Sequence, residues 1–218
     1  MNQIISTSDG SHTIYVPEID EHYHSIHGAV QESAFIFIKN GLDVCKADPI
    51  SILEVGFGTG LNTLLTVIRS MTGTRQVNYT ALEKHPLDIN ILNSLNHHQF
   101  AGEKGMEIFQ IIHSSPWNLN VKICKNFNLK KIKADFTKDK LSGSYDLIYF
   151  DAFGPDKQPE MWTRELFTEI SSVTNKNGIL VTYSAKGDVQ RSLKACGFDV
   201  SLIPGPPGKR QMIRAVKI

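Results

Sequence analysis

The 218-residue sequence predicts an α/β fold built on a mostly parallel sheet. Three observations predict it. From Pro49 onward, short apolar runs alternate with stretches of helical length, the pattern of a parallel sheet covered on both faces. The runs "SILEV" (51–55) and "YDLIYF" (145–150) are apolar almost throughout, as strands buried on both faces must be. Between the first of these strands and the helix after it stand Gly56, Gly58 and Gly60.

The elements follow in order. Residues 9–25 read as a turn, a strand "HTIYV" and a polar loop "PEIDEHYHS"; "GAVQESAFIFI" (28–38) reads as a helix with Glu32 on an otherwise apolar face. Seven strands are expected at 51–55, 77–83, 128–134, 145–151, 178–184, 198–203 and 211–217. Helices are expected at 61–72, 86–96, about 159–172 and 187–196. Pro159 suits a first helical position, where its missing N–H is not needed. The last two strands have only "GPPG" (205–208) between them. A hairpin is the short way to join them, so the last strand is expected antiparallel. Residues 1–48 thus form a small N-terminal extension, and 49–218 the main domain, within the size of one large domain.

Composition excludes several classes. With 41% hydrophobic residues the chain can bury a sizeable core and is not a disordered segment. No apolar run reaches the ~18 residues of a membrane span, and "MNQIISTSDGSHT" lacks the basic start and apolar centre of a signal peptide. Cys45, Cys124 and Cys196 are odd in number, far apart and without a CxxC pair, which fits a reduced cytoplasmic protein better than a disulfide framework or zinc site. "HYHSIH" (22–27) is no standard zinc spacing either, so no metal is expected. Net charge is +1, but unevenly spread: residues 1–121 hold 6 Lys+Arg against 12 Asp+Glu, and residues 122–218 hold 17 against 10. That is either ordinary surface composition or the footprint of a polyanionic partner.

"ILEVGFGTGLNTLL" (52–65) presents Glu54, Gly56, Gly58 and Gly60 as E-x-G-x-G-x-G, followed by Asn62. Glycines let the backbone turn sharply and let a ligand lie against it. In the dinucleotide fingerprint the third glycine would fall at Leu61. The spacing instead matches the loop that binds S-adenosyl-L-methionine, a ligand without phosphates. "YTALEK" ends its strand on Glu83, 23 residues past Gly60, where a carboxylate accepts both ribose hydroxyls. Asp135, after "LKKIKA", stands where a carboxylate or neighbouring amide reads an adenine amino group, or where a short polar side chain caps a turn.

The strand "YDLIYF" runs into Asp151 and then a rigid turn, "AFGPDKQPEMW". This stretch, with "DGSHTIYVPE", "YHSIHGAVQES", "EVGFGTGLN", "LEKHPL" and "GKRQMIR", resembles the tRNA 5-aminomethyl-2-thiouridine methyltransferase family. That family comprises the methyltransferase domain of the bifunctional enzyme MnmC and its stand-alone counterpart MnmD. The resemblance covers nearly the whole chain, and D-[AG]-F-x-P-x-x-x-P-[ED]-M-W is its most specific part. It implies a Rossmann-like class I methyltransferase fold. It also implies methyl transfer from S-adenosyl-L-methionine to the amine of 5-aminomethyl-2-thiouridine at the tRNA wobble position, hence tRNA, through its anticodon region, as partner. No flavin-dependent oxidoreductase domain follows Ile218, so the aminomethyl nucleoside is expected ready-made. "GPPGKRQM" stands where the family often has Gly-Phe-Gly, so any stacking by that Phe is absent.

Under this reading Asp151 orients the amine, takes its proton and stabilises charge growing on nitrogen, while Phe153 offers a ring beside it. Asp151 also joins the cofactor set with Glu54, the three glycines, Asn62, Glu83 and Asp135. Tyr15, Tyr23 and Glu32 line the nucleoside pocket or are a packed tyrosine pair and a solvated glutamate. Lys209 and Arg210 grip phosphates or form an ordinary basic hairpin. Trp162 is expected in the core. Two rival readings are an aminopropyltransferase of the same fold, suggested by "DEHYHSIHGA", and a catalytically silent RNA-binding module.

Overall fold

A computed structural model describes residues 2–218. The strand–helix alternation produces one eight-stranded sheet in the order β10-β11-β9-β8-β4-β5-β7-β6. Its centre is β4 (Ile50–Val55), β5 (Val77–Glu83), β7 (Phe127–Lys133), β8 (Tyr145–Phe150) and β9 (Thr174–Thr182), all parallel to their neighbours in this group. β10 (Phe198–Pro204) and β11 (Gln211–Lys217) make the expected hairpin, and β11 slots antiparallel between β10 and β9. The sheet has one strand more than expected. β6 (Asn120–Cys124) pairs antiparallel with β7 at the opposite edge. Its sequence "NVKIC" buries only Ile123, and an edge strand with a lysine in its middle carries little alternation to read.

Two layers of helix cover the sheet. On one face α2 (Leu61–Ser70) and α4 (Gly105–Ser114) join the helix that starts as α1 (Ala29–Ser33) and continues with π winding over Ala34–Leu42. On the other lie α5 (Arg164–Val173) and α6 (Gly187–Ala195). α4 was not expected, although Ile108, Phe109 and Ile112 give it a buried helical stripe. The expected helix 86–96 is only α3 (Ile89–Asn93), because Asp88 caps it by accepting the Asn90 N–H at 2.8 Å. The expected helix 159–172 breaks at Thr163 for the same reason: Thr163 Oγ1 accepts from the Leu166 N–H, so Pro159–Trp162 is a separate 3₁₀ turn.

Ile36, Phe37, Ile38 and Leu42 belong to the same core cluster as Ile52, Tyr79 and Tyr149. Of the N-terminal extension, only the small sheet β1 (Gln3–Ser6), β2 (His12–Val16) and β3 (Glu21–His22) therefore stands outside the main core. It is anchored through Ile14, packed with Leu92 and Leu95. Among the described residues, no helix is long and apolar enough to cross a membrane.

Register decides where the chemistry sits. Val55 is level with Leu82 on one side and Phe150 on the other, and Glu83 with Lys133. The residues that follow these strands therefore emerge along one edge. β4 lies between β5 and β8, the point where the winding reverses direction and where such sheets open a crevice.

Candidate active site

That crevice is a cleft of about 380 Å³. The strand ends give it Gly56, Glu83, Asp135, Asp151 and Phe153; the N-terminal extension gives it Tyr23, His24 and Glu32; the β10–β11 turn gives it Lys209. Loops from three remote parts of the chain thus meet over the sheet edge.

The glycine loop is held from below as well as open from above. A Cβ on Gly56 would stand 2.5 Å from the Asp151 carbonyl oxygen, so here glycine lets β4 and β8 run side by side to their ends. Gly58 has φ +48°, and a Cβ there would reach 3.0 Å from the Tyr23 ring. Tyr23 thus lies directly over the loop. Glu83 ties the loop down: Oε2 accepts the Gly58 N–H at 2.9 Å and Oε1 the His85 N–H at 2.8 Å. Each oxygen keeps a second lone pair.

Glu54 does not line the cleft, which corrects its expected place among the cofactor ligands. β4 is covered on both faces, and Glu54 is fully buried, accepting from Thr63 Oγ1 of α2 at 2.9 Å. Burial pushes its carboxyl up to about 8, with a smaller contribution from the Asp151 charge, so it is protonated at neutral pH. Asn62 is also buried and outside the cleft lining. Its Nδ2 donates to Asp151 Oδ2 at 2.8 Å, which makes it the support of Asp151. Gly60 sits behind the loop, against Phe57 and His113.

Asp151 follows β8 directly. Its backbone N–H donates to the Val55 carbonyl at 2.9 Å, fixing the turn to β4. Burial pushes the carboxyl up to about 7; the Asn62 bond opposes this, Glu32 adds to it and Lys209 opposes it. The group therefore exchanges a proton near neutrality. The turn after it is rigid for a visible reason: Trp162 is buried and its indole N–H donates to the Phe153 carbonyl at 2.7 Å. Phe153 meets Tyr23 edge to face, ring centroids 4.9 Å apart. Burial and the Glu83 charge push the Tyr23 hydroxyl up to about 12, so both rings form a neutral wall.

Asp135 lines the cleft while capping its own turn. Its Oδ1 accepts from Thr137 Oγ1 at 2.7 Å, and its Oδ2 pairs with Lys84 at 3.1 Å. The Thr137 bond leads the effects that hold its carboxyl well below the usual range. Its backbone N–H donates to Asp139 at 2.8 Å. Glu32 and Lys209 meet inside the cleft at 3.1 Å, so Lys209 faces the cleft rather than lying on an exposed hairpin. Arg210, its neighbour, is exposed and outside the cleft. Tyr15 is outside it too, bonded to Asp20 at 2.9 Å and against the His22 ring.

Sequence reasoning missed Tyr183, just past β9, whose hydroxyl donates to the Ala152 carbonyl at 2.9 Å. It also left His24 without a role. His24 is buried, and its Nε2 bonds Thr59 Oγ1 of the glycine loop at 2.7 Å.

A doubly wound sheet, with a glycine loop pinned by one strand-end carboxylate and a second carboxylate beside it in the same cleft, is the arrangement of a nucleoside-cofactor enzyme. Comparison with known proteins makes the class specific. A family model described as S-adenosyl-L-methionine-dependent methyltransferase matches residues 100–218, more than half of the chain. The chain belongs to that family, and S-adenosyl-L-methionine is its cofactor. The chain is also similar to the tRNA 5-methylaminomethyl-2-thiouridine biosynthesis bifunctional protein MnmC of Cupriavidus necator (30% identity, 91% of this chain, 32% of that protein). The same protein of Cupriavidus metallidurans is 32% identical over 95% of this chain and 33% of its own. The chain thus spans about a third of the length of these curated relatives. Among solved structures, MNMC2 from Aquifex aeolicus superposes with a TM-score of 0.80 at 27% identity, covering 99% of this chain and 69% of that one. Spermidine synthase from Thermotoga maritima, at 11% identity and a TM-score of 0.57 over 99% of this chain and 71% of its own, shares the fold.

Proposed function

We propose that this enzyme methylates the amine nitrogen of 5-aminomethyl-2-thiouridine at the tRNA wobble position, giving 5-methylaminomethyl-2-thiouridine. The observation that carries the reading is the place of Asp151, a carboxylate at the end of β8 that enters the cleft and is held by Asn62 at 2.8 Å. The names of the relatives, which concern biosynthesis of that nucleoside, support the substrate. Such a substrate implies a cytoplasmic enzyme that meets its tRNA at the anticodon.

The residues present fit the cofactor. Glu83 would hold the ribose hydroxyls with its free lone pairs, the Gly56–Gly58 backbone would face the ligand, and Asp135 with Phe136 would border the adenine. When bound, the cofactor supplies a methyl group on a positively charged sulfur. The chain's own task is to deliver a neutral amine. An alkyl ammonium loses its proton near pH ~10, some 3 units above neutrality, a cost of ~4 kcal/mol. Transfer to an ordinary aspartate would span ~6 units; with Asp151 at about 7 the gap is ~3 units, which removes ~4 kcal/mol of it. Asn62 holds the carboxylate in place, and Tyr23, Phe153 and Tyr183 border the space for a flat base. The aminopropyl reading finds no support here: a diamine would bring a second cation up to Lys209.

The test is methyl transfer from labelled S-adenosyl-L-methionine to tRNA lacking only this methyl, read by mass spectrometry of the nucleosides. The parent protein should yield the methylaminomethyl nucleoside, with a rate that rises through pH about 7. Asp151→Asn should slow transfer by roughly 10²-fold or more while the cofactor still binds. No label in tRNA, or parental turnover by Asp151→Asn, would overturn the reading.

A further inference from the structure

The carboxylates of Glu21, Glu32, Glu83, Asp135, Asp151 and Glu160 line the cleft, and of these Glu32 is the one whose charge bears on Asp151, whereas the amine to be methylated carries a single charge. Glu32 stands in α1 with only 11% of its side chain exposed. Its Oε2 accepts the Ser25 N–H at 2.9 Å, and its Oε1 lies 3.1 Å from Lys209 Nζ. The Lys209 ammonium also lies 4.4 Å from the centroid of the Tyr183 ring, a favourable place for a cation. Tyr183 in turn is bonded to the carbonyl of Ala152, the residue after Asp151.

The turn that carries Lys209 is locked rather than loose. A Cβ on Gly205 would come within 2.5 Å of the Lys209 carbonyl oxygen, and one on Gly208, where φ is +84°, would collide with the His27 ring. The hairpin is thus pressed onto the N-terminal extension, and Lys209 is delivered to the cleft as an internal counter-ion.

We propose that Lys209 is a positioning and selectivity residue of the acceptor site. By cancelling Glu32 it removes the anionic charge that bears on Asp151 from α1 and sets a cation beside it, so that a single amine is admitted at Asp151 and a second cation is turned away from Glu32. The identity of the acceptor as an amine rests on the function proposed above; the charge cancellation rests on the geometry alone. The groups facing Asp151 are Asn62 from α2, Glu54 from β4, Glu32 from α1, Lys209 from the turn and Tyr183 past β9, with Glu21 of β3 acting on Tyr183 from the side of Gly154. Removing the Lys209 charge leaves Glu32 unbalanced. Asp151 then holds its proton more tightly, and the cleft has room for a dication.

The probe is 1,4-diaminobutane, titrated by calorimetry into protein saturated with S-adenosylhomocysteine. Lys209→Met should bind it about tenfold more tightly than the parent or better, the size expected when one partner of a half-buried charge pair is left free. Lys209→Arg and the double variant Glu32→Gln/Lys209→Met should bind like the parent. Glu32→Gln alone should bind more weakly. The acid limb of the rate–pH profile for amine methylation should move to higher pH in Lys209→Met, to lower pH in Glu32→Gln, and return in the double variant. Thermal unfolding of each variant checks that the fold is kept, and the opposite shifts of the two single variants cannot come from a general loss of structure. Parental diamine affinity and an unmoved limb in Lys209→Met would overturn the proposal, as would a double variant no closer to the parent than Lys209→Met. Because the titration needs neither tRNA nor turnover, its outcome separates this assignment from that of the tRNA substrate.

Discussion

Replacing Glu54 with glutamine should stabilise the protein, and by an amount that depends on pH. Glu54 is fully buried beneath α2, with Oε2 bonded to Thr63 and Oε1 without a hydrogen-bond partner. Its carboxyl is raised from 4.5 to about 8 by burial, so between those values the folded state holds a proton that the unfolded chain has lost. Stability therefore falls as pH rises across that window, at ~1.4 kcal/mol per pH unit for one group. The sum is ~3 kcal/mol between pH 5 and 7, with a ceiling of ~5 kcal/mol above pH 8. Glutamine keeps the shape, can still accept from Thr63, and never ionises. Urea unfolding of both proteins at pH 5, 6, 7 and 8 measures the difference. It should be small at pH 5, reach about 3 kcal/mol at pH 7 and level off above pH 8. Buried His24, His97 and His113, depressed to about 3, 4 and 3, titrate alike in both proteins and cancel in the difference. A difference that stays constant across pH would refute the reasoning, since Glu54 would then ionise as an ordinary carboxyl does.

Glu83→Ala should weaken S-adenosyl-L-methionine binding by about 10- to 100-fold, from loss of charge-assisted hydrogen bonds worth ~1–3 kcal/mol and release of the Gly58 amide; unchanged affinity by calorimetry would remove Glu83 from the cofactor set. Gly56→Ala should cost about 3 kcal/mol or more in denaturant unfolding, because a positive φ and a backbone clash coincide there, and it should displace Asp151 enough to cut methyl transfer. Affinity for tRNA should fall steeply with salt while cofactor affinity does not, and Arg210→Ala should flatten that slope; a flat response in the parent would argue for a small-molecule acceptor.

Much of this arrangement was legible in the sequence because parallel strands announce themselves as apolar runs, and the residues that line the cleft sit where those runs stop. Glu83, Asp135 and Asp151 were found that way, and Tyr183, just past β9, had the same signal and was passed over. Glu54 was misplaced because a glycine motif groups residues by spacing, whereas a strand covered on both faces sends every side chain into the core. The inward placement of Lys209 was not legible for another reason. "GPPGKR" has the composition of a surface hairpin, and only the long-range contact between Gly208 and His27 turns it inward. β6 and the short α3 were lost to an edge lysine and an aspartate cap, local features that periodicity averages away.

Tyr23 over Gly58 and His24 on Thr59 give one further result. The loop expected to hold the cofactor is touched by the same segment expected to hold the acceptor, so ordering one orders part of the other. Whatever factor the methyl donor contributes to acceptor affinity, the acceptor must return to the donor, since the coupling free energy is a property of the pair. Under the proposed function, methyl donor and nucleoside would be coupled through these two adjacent residues, and the demethylated product, which shares the loop, should leave more slowly while the modified nucleoside is still in place.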